Sequence, residues 1–146
     1  MIRLKNIYIP LALTLMSLLF TASESSGQES LEIRISNIKK NTGKIIVEIY
    51  SSKKTWLKSP YKKLVLSGNQ EVQIASFNVP YGKYGVTIYQ DMNGNGESDM
   101  NFLGIPKEPI GLGNNYKPFG EPKFESAMIE FNAKSKPLEI KLYKVF

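Results

Sequence analysis

The 146-residue chain contains no cysteine and no histidine, and the two absences remove whole classes of chemistry. Without thiols there are no disulfides, no cysteine nucleophiles and no thiolate-held metals. Without imidazole there is no Ser-His-Asp triad and no zinc or haem site built on histidine. Catalysis is left to carboxylate, lysine, tyrosine and hydroxyl groups, and metal binding is left to oxygen donors, which suit calcium or magnesium. Acidic residues are in the minority, 13 against 19 Lys and Arg, for a formal net charge of +6.

Long apolar runs are scarce as well. The one candidate, Ile7 to Phe20, is shorter than the roughly 20 residues needed to cross a bilayer and is interrupted by Pro10. Arg3 and Lys5 precede it, and Thr21, Ala22 and Ser23 follow it, which is the basic, apolar, small-residue order of a cleavable export signal. The expected organisation is a signal peptide over 1–23, a flexible segment over 24–30 and a single domain over 31–146. The domain would be extracytoplasmic, periplasmic or secreted, with no stable membrane span after signal removal. Loss of Arg3 and Lys5 leaves 17 basic against 13 acidic residues, a mildly basic chain of net +4. About 120 residues are enough for one core and too few for two.

Helical periodicity is also missing. Apolar residues recur with period two at Leu31, Ile33 and Ile35, at Ile45, Val47 and Ile49, and at Tyr84, Val86 and Ile88. Shorter runs follow at Lys63–Leu66, at Val72 and Ile74 with a phase change to Phe77 and Val79, at Ala127, Ile129 and Phe131, and at Leu138, Ile140 and Leu142. About seven strands without intervening helices predict an all-β fold, a seven-stranded antiparallel β-sandwich, with a small closed barrel as the alternative. Asn41-Thr42-Gly43 reads as the turn before the second strand. Val79-Pro80-Tyr81-Gly82 reads as a tight turn into a central strand, with Gly82 supplying an unusual dihedral. It resembles the turn before a late strand in transthyretin-like and immunoglobulin-like bacterial modules.

Between 101 and 124 the pattern stops. Four prolines (106, 109, 118, 122) and four glycines (104, 111, 113, 120) mark one long proline- and glycine-rich loop, which is functional or disordered in most compact domains. Its apolar residues, among them Phe102, Leu103, Ile105 and Phe119, favour packing over one end or edge of the sandwich.

The segment most suggestive of chemistry is Asp91-Met92-Asn93-Gly94-Asn95-Gly96-Glu97-Ser98-Asp99. Oxygen-bearing side chains stand at loop positions 1, 3, 5 and 9, with glycine at 6, as in the first three quarters of a calcium loop. Asp91, Asn93, Asn95 and Asp99 would offer side-chain oxygens and Glu97 its carbonyl. Position 12 is Phe102, so the usual bidentate glutamate is absent, and Asp99, Glu97, Glu108 or Glu121 would have to close the shell. Two obligate charges imply an affinity on the order of 10⁻⁴ to 10⁻³ M. The competing reading is that Asn93-Gly94 and Asn95-Gly96 are turn dipeptides and nothing more.

Tyr81-Gly82-Lys83-Tyr84-Gly85-Val86, the Asp91–Asp99 loop, and Asn101-Phe102-Leu103-Gly104-Ile105-Pro106-Lys107-Glu108-Pro109-Ile110-Gly111 occur in this order, followed by Pro122-Lys123-Phe124-Glu125-Ser126-Ala127. These blocks resemble the uncharacterised bacterial family of domain of unknown function 2141. The resemblance implies a secreted or periplasmic immunoglobulin-like domain, carries no established activity, and associates the acidic loop with Gly104–Glu108 as one surface.

Other clusters admit plainer readings. Eight lysines between Lys39 and Lys63, with Glu48 as the one acid and Trp56 and Tyr61 interleaved, could meet an anionic polymer. They also fit a solvated loop with Trp56 tucked inward, or lysines guarding a sheet edge, and no nucleic-acid partner is expected. Glu108, Glu121 and Glu125 could in principle serve a glycosidic hydrolysis. Tyr81, Tyr84, Tyr89, Tyr116 and Phe119 could form a platform for glycan or peptide, although the phase of Tyr84 assigns it to the core. The expectation is a non-enzymatic module with a calcium-binding loop at 91–99 and an unknown protein or glycan partner. The alternatives are a carbohydrate- or peptide-binding module and a carboxylate-based hydrolase.

Overall fold

Alternation carries directly into the first strand. The computed structural model describes residues 30–145, and β1 (Ser30–Ser36) buries Leu31, Ile33 and Ile35 while exposing Glu32 and Arg34. The export signal expected over 1–23 and residues 24–29 of the expected flexible segment lie outside the described residues. The remaining strands are β2 (Lys44–Tyr50), β3 (Lys62–Ser67), β4 (Gln73–Asn78), β5 (Gly82–Asp91), β6 (Ile110–Leu112), β7 (Met128–Phe131) and β8 (Leu138–Lys141). Besides two 3-10 turns, one four-residue helix, α1 (Phe124–Ala127), completes the described residues, and none of these is long and apolar enough to cross a membrane.

The fold is all-β, with two open sheets. One has the order β4-β1-β8, and the other the order β3-β2-β5-β6, with β7 also pairing with β5. β6 and β7 share one edge of β5, Tyr89 facing Ile110 and Gly85 facing Met128. A single apolar cluster joins the facing sides of both sheets: Ile33 and Ile35 from β1, Phe77 from β4, Ile45 and Val47 from β2, Val86 and Ile88 from β5, and Ile140 from β8. At roughly 25 cal/mol per Å² of apolar area removed from water, this shared layer is the main stabilising term.

Three expectations need correction. The described residues hold eight strands rather than seven, because β6 lies inside the 101–124 segment and three residues are too few for a period to show. The sheets are not wholly antiparallel, since β8 crosses over after β7 and runs parallel to β1, Ile35 facing Ile140. The 101–124 segment meets the expected edge, where β6 pairs with β5, but is not confined to it. It lends a strand to the larger sheet and, with its flanks, lies across that sheet's outer face. Tyr50, Trp56, Leu112 and Phe124 form one outer cluster there, and Ile46, Tyr89 and Ile110 form another with Tyr143 against them. β5 is therefore buried on both faces from Tyr84 to Asp91.

Turn chemistry is mixed. Asn41 and Gly43 both take φ of 58°, as a tight turn there requires, but Gly82 is absent from the positive-φ residues and simply opens β5. What fixes the Pro80 turn is Tyr84, whose hydroxyl donates to the Pro80 carbonyl at 2.7 Å.

Candidate functional site

β5 delivers Asp91 to the end of the larger sheet, opposite Lys44 of β2. Gly43 packs so closely there that a Cβ would fall 1.9 Å from the Asp91 carbonyl oxygen. Asp91 is 1% exposed. Its Oδ1 accepts the Gly94 amide at 2.7 Å and its Oδ2 accepts the Gly96 amide at 2.9 Å. Gly94 and Gly96 take φ of 79° and 81°, the left-handed region in which glycine meets no steric penalty. Asn93 Oδ1 accepts the Asn95 amide at 3.0 Å, and Asn95 Oδ1 accepts the Glu97 amide at 2.9 Å. Their Nδ2 groups both donate to Asp99, Asn93 to Oδ2 and Asn95 to Oδ1. Asp91, Asn93, Asn95 and Asp99 thus belong to one bonded loop. Glu97 joins it through its backbone, while the residue itself lines a cleft beside the loop.

Glu108 ties the long segment to this loop. At 4% exposure it accepts the Met92 amide at 2.7 Å and the Asp99 amide at 3.3 Å, and the Lys107 amide donates to the Asp99 carbonyl at 2.8 Å. Asn101 Oδ1 accepts the amides of Leu103 and Ile105, closing the next turn. The acidic loop and 101–108 therefore form one surface. No ion pair reaches Asp91 or Glu108 among the described residues, and both nearly buried carboxylates are hydrogen-bonded to backbone amides. No group of three or more Asp, Glu, His or Cys side chains suited to a metal occurs there either. A cation at this loop would thus draw on asparagine and backbone oxygens, which lie outside such a grouping.

Beside the loop is a cleft of about 940 Å³ between the sheet's outer face and the long segment. Its floor follows from strand register, because Glu48 faces Lys63 on one side and Thr87 on the other. Lys63 Nζ pairs with Glu48 Oε1 at 3.1 Å, and the Tyr50 hydroxyl donates to Glu48 Oε2 at 2.7 Å. Thr87 lies beside the Tyr50 hydroxyl and Lys63 beside the Tyr89 hydroxyl, and Tyr89 donates to the Gly96 carbonyl at 3.0 Å. A continuous polar chain thus runs from the middle of the sheet to the acidic loop. Burial, then the bond and charge of Glu48, push the Tyr50 hydroxyl far above the usual tyrosine range. Burial also raises Tyr89. For Lys63 burial works downward, but Glu48 outweighs it and the ammonium titrates above its ordinary value.

The other sequence candidates disperse. Three of the eight lysines have individual partners: Lys53 with Glu125 at 2.7 Å, Lys62 with the Asn78 carbonyl, and Lys63 with Glu48. Lys62 and Lys63 also stand on β3, an edge strand, where charge opposes edge-to-edge pairing. Trp56 is buried in the outer cluster, and its Nε1 donates to the Pro122 carbonyl at 2.8 Å. Glu108, Glu121 and Glu125 go separate ways, into the loop bonds, the cleft lining and the Lys53 pair. Of the platform aromatics, Tyr89 is buried whereas Phe119 is fully exposed. The Glu48–Lys63 pair escaped sequence reasoning, although Glu48 stood out as the one acid among the lysines; only strand register reveals its partner.

Fold and site together define an all-β, two-sheet domain whose acidic loop borders a covered cleft. The chain belongs to the bacterial family of domain of unknown function 2141, described as an uncharacterized protein conserved in bacteria, whose profile matches residues 33–139. It matches no curated protein and no solved structure.

Proposed function

We propose that this protein is a non-enzymatic, exported binding module of the immunoglobulin-like or transthyretin-like sandwich type, whose 91–99 loop takes a structural calcium ion. The ion would set the contact surface that the loop shares with 101–124, for a protein or glycan partner. Export rests on the order of residues 3–23, and the sandwich type on the shared core between two sheets. The observation that carries the calcium reading is the pair of nearly buried carboxylates, Asp91 on the loop and Glu108 bonded to it from the long segment, with no cationic side chain paired to either. Buried charge is costly unless it is paired or bound to metal, and backbone amides compensate only part of that cost. Asp91 accepts one amide on each oxygen, which leaves a further lone pair on each for a cation. Asn93 and Asn95 keep the same capacity on Oδ1. Calcium would displace the two Nδ2 donors from Asp99 and take their place.

The test is a thermal melt in calcium and in chelator. Calcium at ten times its Kd adds about 1.4 kcal/mol to the wild type by linkage, and Asp99→Asn abolishes the gain. An unchanged wild-type midpoint overturns the reading. The hydrolase reading finds less support, because Glu108 has both oxygens bonded to backbone amides and Glu125 is paired with Lys53.

A further inference from the structure

The covered cleft has two features that the calcium loop does not explain. Its floor is polar only at the centre, and both tyrosine protons there are already directed, Tyr50 to Glu48 and Tyr89 to the Gly96 carbonyl. Lys63 differs. Its ammonium has three protons, of which one faces Glu48 while the Tyr89 hydroxyl lies alongside, and its side chain is 40% exposed. The floor thus offers a ligand one donor, surrounded by the aliphatic walls of Ile105, Ile110, Leu112 and Val145. Because Glu48 balances its charge, Lys63 can meet a neutral acceptor as well as an anion.

The second feature is the mouth. Met100 and Leu103 line one lip and are 50% and 67% exposed, with Phe102 between them at 94%. On the other lip Phe119 is fully exposed between Pro118 and Gly120, both cleft residues. Large side chains left in water at both lips of an apolar cleft mark an interaction surface. A sugar would want exposed ring faces on the floor, but Tyr50 and Tyr89 are 2% and 7% exposed. A volume of about 940 Å³ lies at the upper end of the roughly 300–1,000 Å³ of ligand clefts.

We propose that the cleft binds a single-chain lipid amphiphile, its acyl chain along the aliphatic walls and the carbonyl oxygen of its head on Lys63, with the exposed lips meeting the lipid surface that supplies it. The head is either a free carboxylate or an acyl ester, since both present the same acceptor. The cleft borders the 91–99 loop at Gly96, Glu97 and Ser98, but Lys63 and the aliphatic walls lie outside that loop and no variant below alters it, so failure of one proposal is distinguishable from failure of the other.

The experiment uses the mature chain and the apolar fluorophore N-phenyl-1-naphthylamine, displaced by palmitate, by monopalmitoylglycerol, by octanoate and by hexadecyltrimethylammonium, each below its micelle concentration. One saturable site is expected, with octanoate and the ammonium amphiphile at least tenfold weaker than the better of the two palmitoyl compounds. Palmitate winning assigns a carboxylate head, and the glycerol ester winning assigns an ester. Lys63→Met combined with Glu48→Gln, which leaves no unpaired charge, weakens the winner about tenfold and leaves fluorophore binding within twofold. Ile105→Glu abolishes both. Should that variant fail to fold by circular dichroism, Leu103→Glu on the exposed lip replaces it with the same expectation. No saturable fluorophore site, equal displacement by the ammonium amphiphile, or unchanged binding by these variants overturns the proposal.

Discussion

Gly85 sits at the middle of β5 between Tyr50 and Met128, facing the outer layer that roofs the sheet. A Cβ there would lie 2.7 Å from Trp56 Cζ3 and 2.8 Å from Phe124 Cδ2 and Cε2. Gly85→Ala must therefore push two rings that pack edge to face, Trp56 and Phe124 at 5.6 Å between centroids, with Tyr50 on Trp56 at 5.0 Å. Overpacking of this kind costs about 1–3 kcal/mol. If Trp56 yields, its bond to the Pro122 carbonyl is lost as well, for about 1 kcal/mol more. The total, about 2–4 kcal/mol, corresponds to a midpoint drop of about 8–15 °C for a domain of this size. Trp56 is the single tryptophan, so its emission reports the displacement directly. A double-mutant cycle with Trp56→Leu isolates the contact: the alanine should cost at least about 1 kcal/mol less in the leucine background. A midpoint within a degree of wild type and unchanged emission would refute the packing of the outer layer on Gly85.

Other consequences follow from the same geometry. Glu108→Gln turns one oxygen that faces the Met92 or Asp99 amide into a donor, and urea unfolding should show a loss of about 1–3 kcal/mol with unchanged m value; a smaller loss argues against a buried carboxylate bridge. Gly111→Ala places a Cβ 2.8 Å from Ile140 Cγ2 of β8, so a loss of about 1–3 kcal/mol is expected in the same assay. Tyr50 is held neutral in the fold, so its contribution is complete below the unfolded value of about 10 and is lost as pH rises beyond it. Tyr50→Phe should therefore flatten the alkaline fall of stability, which pH-dependent melts read, while Lys63, raised in the same sense, keeps part of the slope.

Strand positions were legible wherever one face is buried and the other wet, as in β1, where period two needs no tertiary information. The same pattern misled on β2 and β5. Ile46, Tyr50 and Tyr89 fall on the outward phase, yet they are buried because a distant segment covers them. β6 was hidden for the opposite reason: Ile110-Gly111-Leu112 is a strand only because β5 offers it an edge. At the site, the odd spacing of Asp91, Asn93, Asn95 and Asp99 marked a loop in which Asn93 and Asn95 bond the Asp99 carboxylate and Asp91 bonds the Gly94 and Gly96 amides. The Glu48–Lys63 pair and the cleft above it depend on register and on loop placement, neither of which local spacing encodes.

The proposal that the loop binds calcium is tested most directly at Gly94 and Gly96, whose amides bond the Asp91 carboxylate. In a ¹⁵N-¹H correlation titration of the mature chain, both resonances should shift along a saturable curve with Kd on the order of 10⁻⁴ to 10⁻³ M, and Asp91→Asn should remove the curve. Resonances that stay in place, or drift without saturating as calcium rises through tens of millimolar, would contradict a metal site at this hairpin.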